Sequence, residues 1–443
     1  MKSLVFSHPF RYILSPALLL AISSIACSLY AQDAPPAKLT ESSVAALSLD
    51  DLVNEITLNN PERRLYIEEL DASRVSARVA GRWSEPELGV DAGYKRLKDS
   101  SGTNVGDGMI WSVSITQTFE WPGRLSLRKA IASRQVELAK LGISRFENAL
   151  ASRARILAFG LYAANEKANA IREVSERFTS LKETFLARDP AGITPLLDTR
   201  AIEASELALR RRATEADLAV QAALVEINQL RGVPIDAPLR VKAKRFSFDD
   251  APSTQSLLVA ARENNFDYRM RQVELEQQGF AVKLARNERY PSVSVGPYIS
   301  RDNIGDRETI VGLTMSVPLP VTGTRRAAVD IARVRQRQAE AAALVAQREL
   351  ERDVVTAAQI FTAKLTEARQ WTSDAAKKFS EAAELADRHY RMGAVTITAY
   401  IELQNSYLDA VEALLSTQTE ALESGLKLQE LTGINLNPVE VAQ

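Results

Sequence analysis

The sequence predicts a mostly helical protein with a small β part, organised as two tandem repeats of helix, strand, strand, long helix and helix. Three observations predict this. Pro is absent from Gly123 to Asp189 and again from Val321 to Asn437, in stretches rich in Ala, Leu, Glu, Arg and Gln that favour long helices. A sparse self-similarity runs through the chain at a shift of about 200 residues. Four strands show strict two-residue alternation.

Composition sets the outer limits. The chain has 443 residues, 46% hydrophobic and 25% charged, with 55 Lys and Arg against 56 Asp and Glu. That is an ordinary folded protein with room for a large core or several domains. The balanced charge argues against nucleic acid as a main partner. One Cys and two His are present, and Cys27 and His8 fall in a segment predicted to be removed, which leaves His389. A Cys/His metal site and a disulfide framework are therefore excluded within one protomer. There is no Ser-His-Asp set, Walker loop or glycine-rich nucleotide motif, so neither a cofactor nor an enzyme activity is expected. The acidic pairs Asp50-Asp51 and Asp249-Asp250 fall at an apparent helix start and in a linker.

Residues 1–31 have the layout of a secretory signal peptide: Lys2 and Arg11, the apolar run Ile13–Ala26, then small residues before a cleavage site after Ala31. A membrane anchor is the alternative, but the run is short and broken by Pro16. Ser24-Ile25-Ala26-Cys27 loosely resembles a lipoprotein box, which makes Cys27 a candidate for lipidation, with Ser24 where Leu is expected. An N-terminal extension follows over 32–47.

The first repeat is expected over 48–233 and the second over 254–436, with a linker at 234–253 and a tail at 437–443. At a shift of 205, Asn59-Asn60 falls on Asn264-Asn265, Arg64 on Arg269, Leu70 on Leu275 and Pro86 on Pro291. At 200, Gly123 meets Gly323. At 201, Gly192 meets Gly393, and Leu230-Arg231-Gly232 meets Leu431-Thr432-Gly433.

Strands are expected at about 86–97, 108–120, 290–301 and 308–320. Their apolar residues include Leu88, Val90, Trp111, Val113, Ile115, Val293, Val295, Leu313 and Met315, alternating with small polar ones. Length and alternation fit a transmembrane β-barrel with these residues facing lipid; Tyr94, Phe119 and Trp121 suit interfacial aromatic belts. A soluble hairpin pair lying on a helical core is the alternative. Four strands cannot close a barrel, so several protomers must share one, and three would supply twelve strands.

Leu125 to Asp189 is 65 residues, about 95 Å as a helix. Ile171, Val174, Phe178, Leu181 and Phe185 keep 3,4 spacing, Ile143, Phe146, Leu150, Ala154, Leu157 and Leu161 run closer to 3.6, and Ile401, Leu408 and Leu415 repeat every seven residues. These are coiled-coil seams.

The doubled unit resembles the TolC family of outer-membrane efflux proteins over nearly all of the mature chain. The corner Gln117-Thr118-Phe119-Glu120-Trp121-Pro122-Gly123-Arg124 is most similar to the cobalt–zinc–cadmium resistance branch, which works with pumps of the RND type; Pro318-Leu319-Pro320-Val321-Thr322-Gly323 departs from it. The resemblance implies a homotrimer with a twelve-stranded barrel in the outer membrane of a Gram-negative bacterium, on a long periplasmic α-helical barrel. It also implies a tip that docks a periplasmic adaptor linked to an inner-membrane pump.

By this resemblance the adaptor-docking tip comprises Gly192, Thr194, Leu196, Tyr390, Arg391, Gly393 and Thr396. Gly192 to Asp198 keeps the family's Gly-to-acid spacing, whereas Ala399 stands where the second acid would be. Glu402 matches a further acidic position and, with Asp198, is the candidate channel constriction, where a ring of three carboxylates would filter cations. A solvated helix cap is the other reading of Asp198. The implied function is a passive exit duct for heavy-metal cations. Drug export and type I protein secretion are the alternatives within the family, and a poreless periplasmic coiled-coil scaffold is the alternative outside it.

Overall fold

The computed structural model describes residues 47–188, 196–242, 245–247, 250–304, 306–319, 321–371, 375–436 and 439–441. The signal peptide with Cys27, the extension up to residue 46, Gly192 and Thr194 lie outside the described residues.

A short strand β1 (Leu47–Ser48) leads into α1 (Leu49–Asn59) and α2 (Pro61–Val79). Ser48 caps α1 by accepting from Asp51 N at 3.2 Å. Asn60 starts α2 by accepting from Glu62 N at 2.9 Å, with Pro61 at the first position, where no amide is needed. The hairpin β2 (Glu87–Lys98) and β3 (Asn104–Phe119) follows, then α3 (Arg124–Arg188) and α4 (Leu196–Arg231). β4 (Val241–Lys242) pairs with β1, and β5 (Arg245–Ser247) lies further along the linker. The second half comprises α5 (Thr254–Asn264), α6 (Phe266–Asn287), β6 (Val293–Ile304), β7 (Asp306–Ser316), α7 (Thr324–Gln370), α8 (Ala375–Arg391) and α9 (Ile397–Thr432). The tail carries β8 (Val439–Val441), paired with β5.

α3 has the length its periodicity predicts. In the second half the expected long helix is interrupted, because α7 ends at Gln370 with Trp371 in an extended conformation (φ −76°, ψ 91°). Thr372, Ser373 and Asp374 follow, types whose side chains bond to nearby backbone and favour breaks and caps over helix interiors. The second hairpin also starts later and turns more tightly than its alternation suggested.

Asn60 and Asn265 act alike at positions 205 apart. Asn265 starts α6, accepting from Tyr268 N at 2.9 Å, while its amide donates to Leu431 O at 3.3 Å; that of Asn60 donates to Leu230 O at 3.0 Å. Each asparagine thus starts one helix and ties it to the end of another far along the chain.

Three hydrophobic clusters succeed one another along the helices. Leu52, Ile56, Leu150, Ala154 and Ile227 form one, and Leu257, Val354, Phe361, Leu422 and Leu428 form another around Phe159. The third joins α3, α4, α8 and α9 through the expected seam Ile171, Val174, Phe178 and Leu181.

Candidate functional site

The four long strands form one antiparallel sheet in the order β2-β3-β6-β7. Its register gathers the alternating residues onto two faces. Leu88 opposes Ile115, Val90 opposes Val113 and Ala92 opposes Trp111; Val113 then opposes Ile299, which opposes Val311. Val295 opposes Met315, and Leu313 opposes Pro297. One face is therefore apolar across all four strands, and no helix covers it: Leu88 is 68% exposed, Leu313 77% and Met315 70%. Trp111, Val113, Val293 and Val295 are half-buried on the same face. This is not the packing of a soluble hairpin pair on a core.

The opposite face is polar and internally bonded. Ser112 Oγ donates to Asp91 at 2.9 Å, Thr118 and Ser294 share a hydrogen bond of 2.8 Å, and Lys95 reaches Asp302 at 2.7 Å across the intervening strand. β2 and β7 are each paired along one side, so the sheet has two open edges among the described residues.

The strand-to-helix corner after β3 is locked. Gly123 adopts φ 85°, a left-handed conformation that costs a residue with a Cβ about 1–2 kcal/mol. The buried Arg124 guanidinium donates to Asn287 Oδ1 at 3.1 Å and to the carbonyls of Asn287 and Tyr290 at 3.3 and 2.8 Å. Asn287 Nδ2 returns a bond to Pro122 O at 2.9 Å, and Trp121 stacks on Tyr290 at 4.7 Å. Glu120 continues the polar face into the helix by holding Arg128 at 2.5 Å.

At the far end, α8 stops at Gly393 (φ 75°), where Gly393 N donates to Tyr390 O and Ala394 N to His389 O, each at 2.9 Å. These bonds satisfy the carbonyls a helix end leaves open. Thr396 starts α9 by accepting from Ala399 N at 3.3 Å. Tyr390 is buried and stacks on Tyr400 at 5.2 Å, which also meets Phe178 at 5.2 Å. Burial, with the negative charge of Asp198 added, pushes the Tyr390 hydroxyl up to about 12. Burial beside Asp387 raises Tyr400 further. Arg391 holds Asp387 at 2.9 Å.

Of the residues expected here, Asp198 and Tyr390 are close enough to interact, and Arg391, Gly393 and Thr396 share the turn beside them. Asp198 sits half-buried in the first turn of α4, where the helix dipole favours an acid. Leu196 opens α4. Glu402 is exposed on α9, about 9 Å along the axis from Thr396, and has no ion-pair partner among the described residues.

Tyr400 and Gln404 escaped the sequence reading. Gln404 is fully buried, donates to Ala383 O at 2.8 Å and meets Arg177 at 3.4 Å. The signal was present as a lone amide in the apolar seam Ile397, Gln404, Leu408, Val411, Leu415, since a polar residue at such a position fixes register. Among the described residues no group of three His, Cys, Asp or Glu is placed to hold a metal, and no helix is long and apolar enough to cross a membrane.

A two-faced sheet with open edges, mounted on helices many turns long, defines a channel-like architecture. Residues 257–434 match the family model described as Outer membrane efflux protein, a family of ducts and not of enzymes. The chain is similar to the CmeC outer-membrane channel of Campylobacter jejuni (15% identity, 87% of this chain and 85% of that one, TM-score 0.71). It is similar to CusC, whose crystal structures concern folding and transmembrane channel formation (15% identity, 88% and 92% covered, TM-score 0.70). It is also similar to the open state of the MtrE channel of Neisseria gonorrhoeae (19% identity, 87% and 88% covered, TM-score 0.68). No curated protein sequence matches it significantly. The fold is that of these channels, and the family match over the second half supports an outer-membrane efflux channel.

Proposed function

We propose that the chain is the exit duct of a tripartite efflux system in the outer membrane of a Gram-negative bacterium. The observation that carries this reading is the uncovered apolar face running through all four strands between two open edges. A bilayer tolerates such a sheet only when the edges are closed. Three protomers joining β7 to β2 would close a barrel of twelve strands, with the bonded polar face lining the lumen.

The helices favour the same homotrimer. α3 contacts both α2 and α6, whereas among the described residues α7 contacts α6 and has no second partner that matches α2. The sides left open carry Leu65 and Val79 on α2, and Ile331, Val334, Leu344 and Val345 on α7, each 54–69% exposed. The two halves of each protomer would then be tandem repeats alternating around the barrel.

At the tip, Tyr390, Arg391, Gly393 and Thr396, with Gly192, Thr194 and Leu196, would dock a periplasmic adaptor serving an inner-membrane RND pump. Glu402, exposed and without an ion-pair partner among the described residues, is the stronger candidate for a ring of three carboxylates, and Asp198 the second. Heavy-metal cations are the proposed cargo, on the resemblance of the Trp121-Pro122-Gly123 corner. With Cys27 and His8 in the predicted signal peptide and His389 left, selectivity among metals would reside in the pump or adaptor, and the driving force would come from a partner, because a passive duct does no work.

The test is the native mass of protein extracted from outer membranes in mild detergent. A mass of three processed protomers, stable to dilution, is expected; a monomer recovered without detergent would leave only the scaffold. Zinc, cobalt and cadmium tolerance of cells lacking the protein then tests the cargo.

A further inference from the structure

α2 carries Arg74 and Arg78, Arg82 follows it in the turn just before Trp83, and Lys129 of α3 joins them in lining an open groove of about 1020 Å³. Val75, Ala77 and Val136 supply its apolar wall. Its one acid, Asp71, is held by Arg74 at 2.8 Å. Arg78, Arg82 and Lys129 are exposed and have no ion-pair partner among the described residues. Gly81, in the turn after α2, lies against the Lys129 side chain, with room for a Cβ at ordinary contact distance, 3.5 Å from Lys129 Cδ.

Height and side give this groove a meaning. Trp83 meets Phe119 edge-on at 5.8 Å, and Trp121 stacks on Tyr290, so four aromatics ring the corner where the sheet ends. Such rings mark the headgroup level of a bilayer. Arg82 adjoins Trp83, and Arg78 lies in the last turn of α2. Phe119 belongs to the apolar face of β3, and Trp83 touches it on that side. Glu120 belongs to the polar face and holds Arg128, while Lys129 stands about 100° round the helix from Arg128, towards α2. The cations therefore stand beneath the apolar face and not beneath the lumen.

We propose that this groove binds the phosphate of an anionic phospholipid in the periplasmic leaflet, fixing the depth at which the barrel sits. The proposal rests on the barrel reading above. The second half lacks the site. At the matching shifts Arg78 becomes Lys283, which lies over the Phe280 ring at 5.3 Å, Arg82 becomes Asn287, engaged at the locked corner, and Lys129 becomes the buried Val329. A trimer would thus hold three such lipids rather than six.

The test is native mass spectrometry of the full-length trimer titrated with phosphatidylglycerol or phosphatidylcholine. Three phosphatidylglycerol molecules per trimer are expected to be retained in preference to phosphatidylcholine, and inorganic phosphate should not displace them. R78Q/R82Q/K129Q should weaken retention roughly 100-fold, at about fivefold per cation. R78K/R82K/K129R should restore it, and R200Q/R211Q/K427Q, at exposed cations elsewhere, should leave it unchanged. Equal retention of both lipids, displacement by phosphate, or a trimer indifferent to the glutamine changes overturns the lipid site alone. A chain that forms no detergent-dependent trimer overturns the barrel reading and this site with it.

Discussion

The two strand-to-helix corners stand 200 residues apart and turn on the same device, a left-handed glycine at Gly123 (φ 85°) and at Gly323 (φ 73°). Around the glycine they differ. The first is closed by Arg124, Asn287, Trp121 and Tyr290. The second stands open, with Leu319 76% and Val321 84% exposed, and Arg325 donates to Arg289 O at 3.2 Å just past the end of α6. The helices below repeat the contrast. α3 meets α6 through Arg134–Glu276 at 3.3 Å, Arg145–Asp267 at 2.9 Å and Gln135–Gln277 at 3.2 Å. On α7 the positions 200 further on are Val334 and Val345, both exposed, in place of Arg134 and Arg145.

The difference teaches where each corner finds its partner. The joint inside one chain cannot dissociate, so ion pairs can set its register at little net cost. A joint between chains must supply its own association energy, and obligate interfaces are correspondingly more apolar. In the proposed trimer the second corner would rest on Trp83–Glu85 of the next copy, the positions that match Glu288–Tyr290.

The largest expected effect comes from charging the open joint. V334E/V345E places two unpaired carboxylates in each of three interfaces, at roughly 3–5 kcal/mol per charge by analogy with unpaired buried ions. Sedimentation in detergent should show a folded monomer, and a stable trimer would refute the assignment of this face. Next, Leu313→Arg on the apolar sheet face should cost about 2–4 kcal/mol per protomer and remove the protein from outer-membrane fractions, whereas a surface hairpin would keep its location.

Arg124→Ala should cost about 3 kcal/mol by stranding two carbonyls and Asn287. Its counterpart Thr324→Ala should stay within about 0.5 kcal/mol, and equal denaturation midpoints would erase the contrast between the corners. Gly123→Ala and Gly323→Ala should each cost about 1–2 kcal/mol, because the backbone strain is shared even where the surroundings are not.

The smallest effect is at the tip. A Tyr390 hydroxyl raised to about 12 contributes its full stability below pH 10 and loses it as pH rises towards 12. Loss should stay under about 1 kcal/mol at pH 10.5. Hydrogen exchange at α8 and α9 between pH 9 and 10.5 checks this: Tyr390→Phe should weaken the response, and Tyr390→Phe with Tyr400→Phe should flatten it, since burial raises Tyr400 as well.

Much of this molecule follows from local pattern. Proline-free periodicity marks α3 to within a residue of its ends, and two-residue alternation assigns Leu88, Val113, Val295 and Leu313 to one face that the register then assembles. The paired asparagines and corner glycines are legible because capping and left-handed turns demand particular residue types. Tertiary structure alone decided that α6 lies against α3, that Arg124 reaches carbonyls more than 160 residues away, and that Tyr400 and Gln404 close the tip. The physical reason is range. Periodicity, capping and turn chemistry act within a few residues and leave a trace in composition. The choice of a neighbouring helix depends on which faces remain uncovered once every element has formed, and no local stretch of sequence contains that.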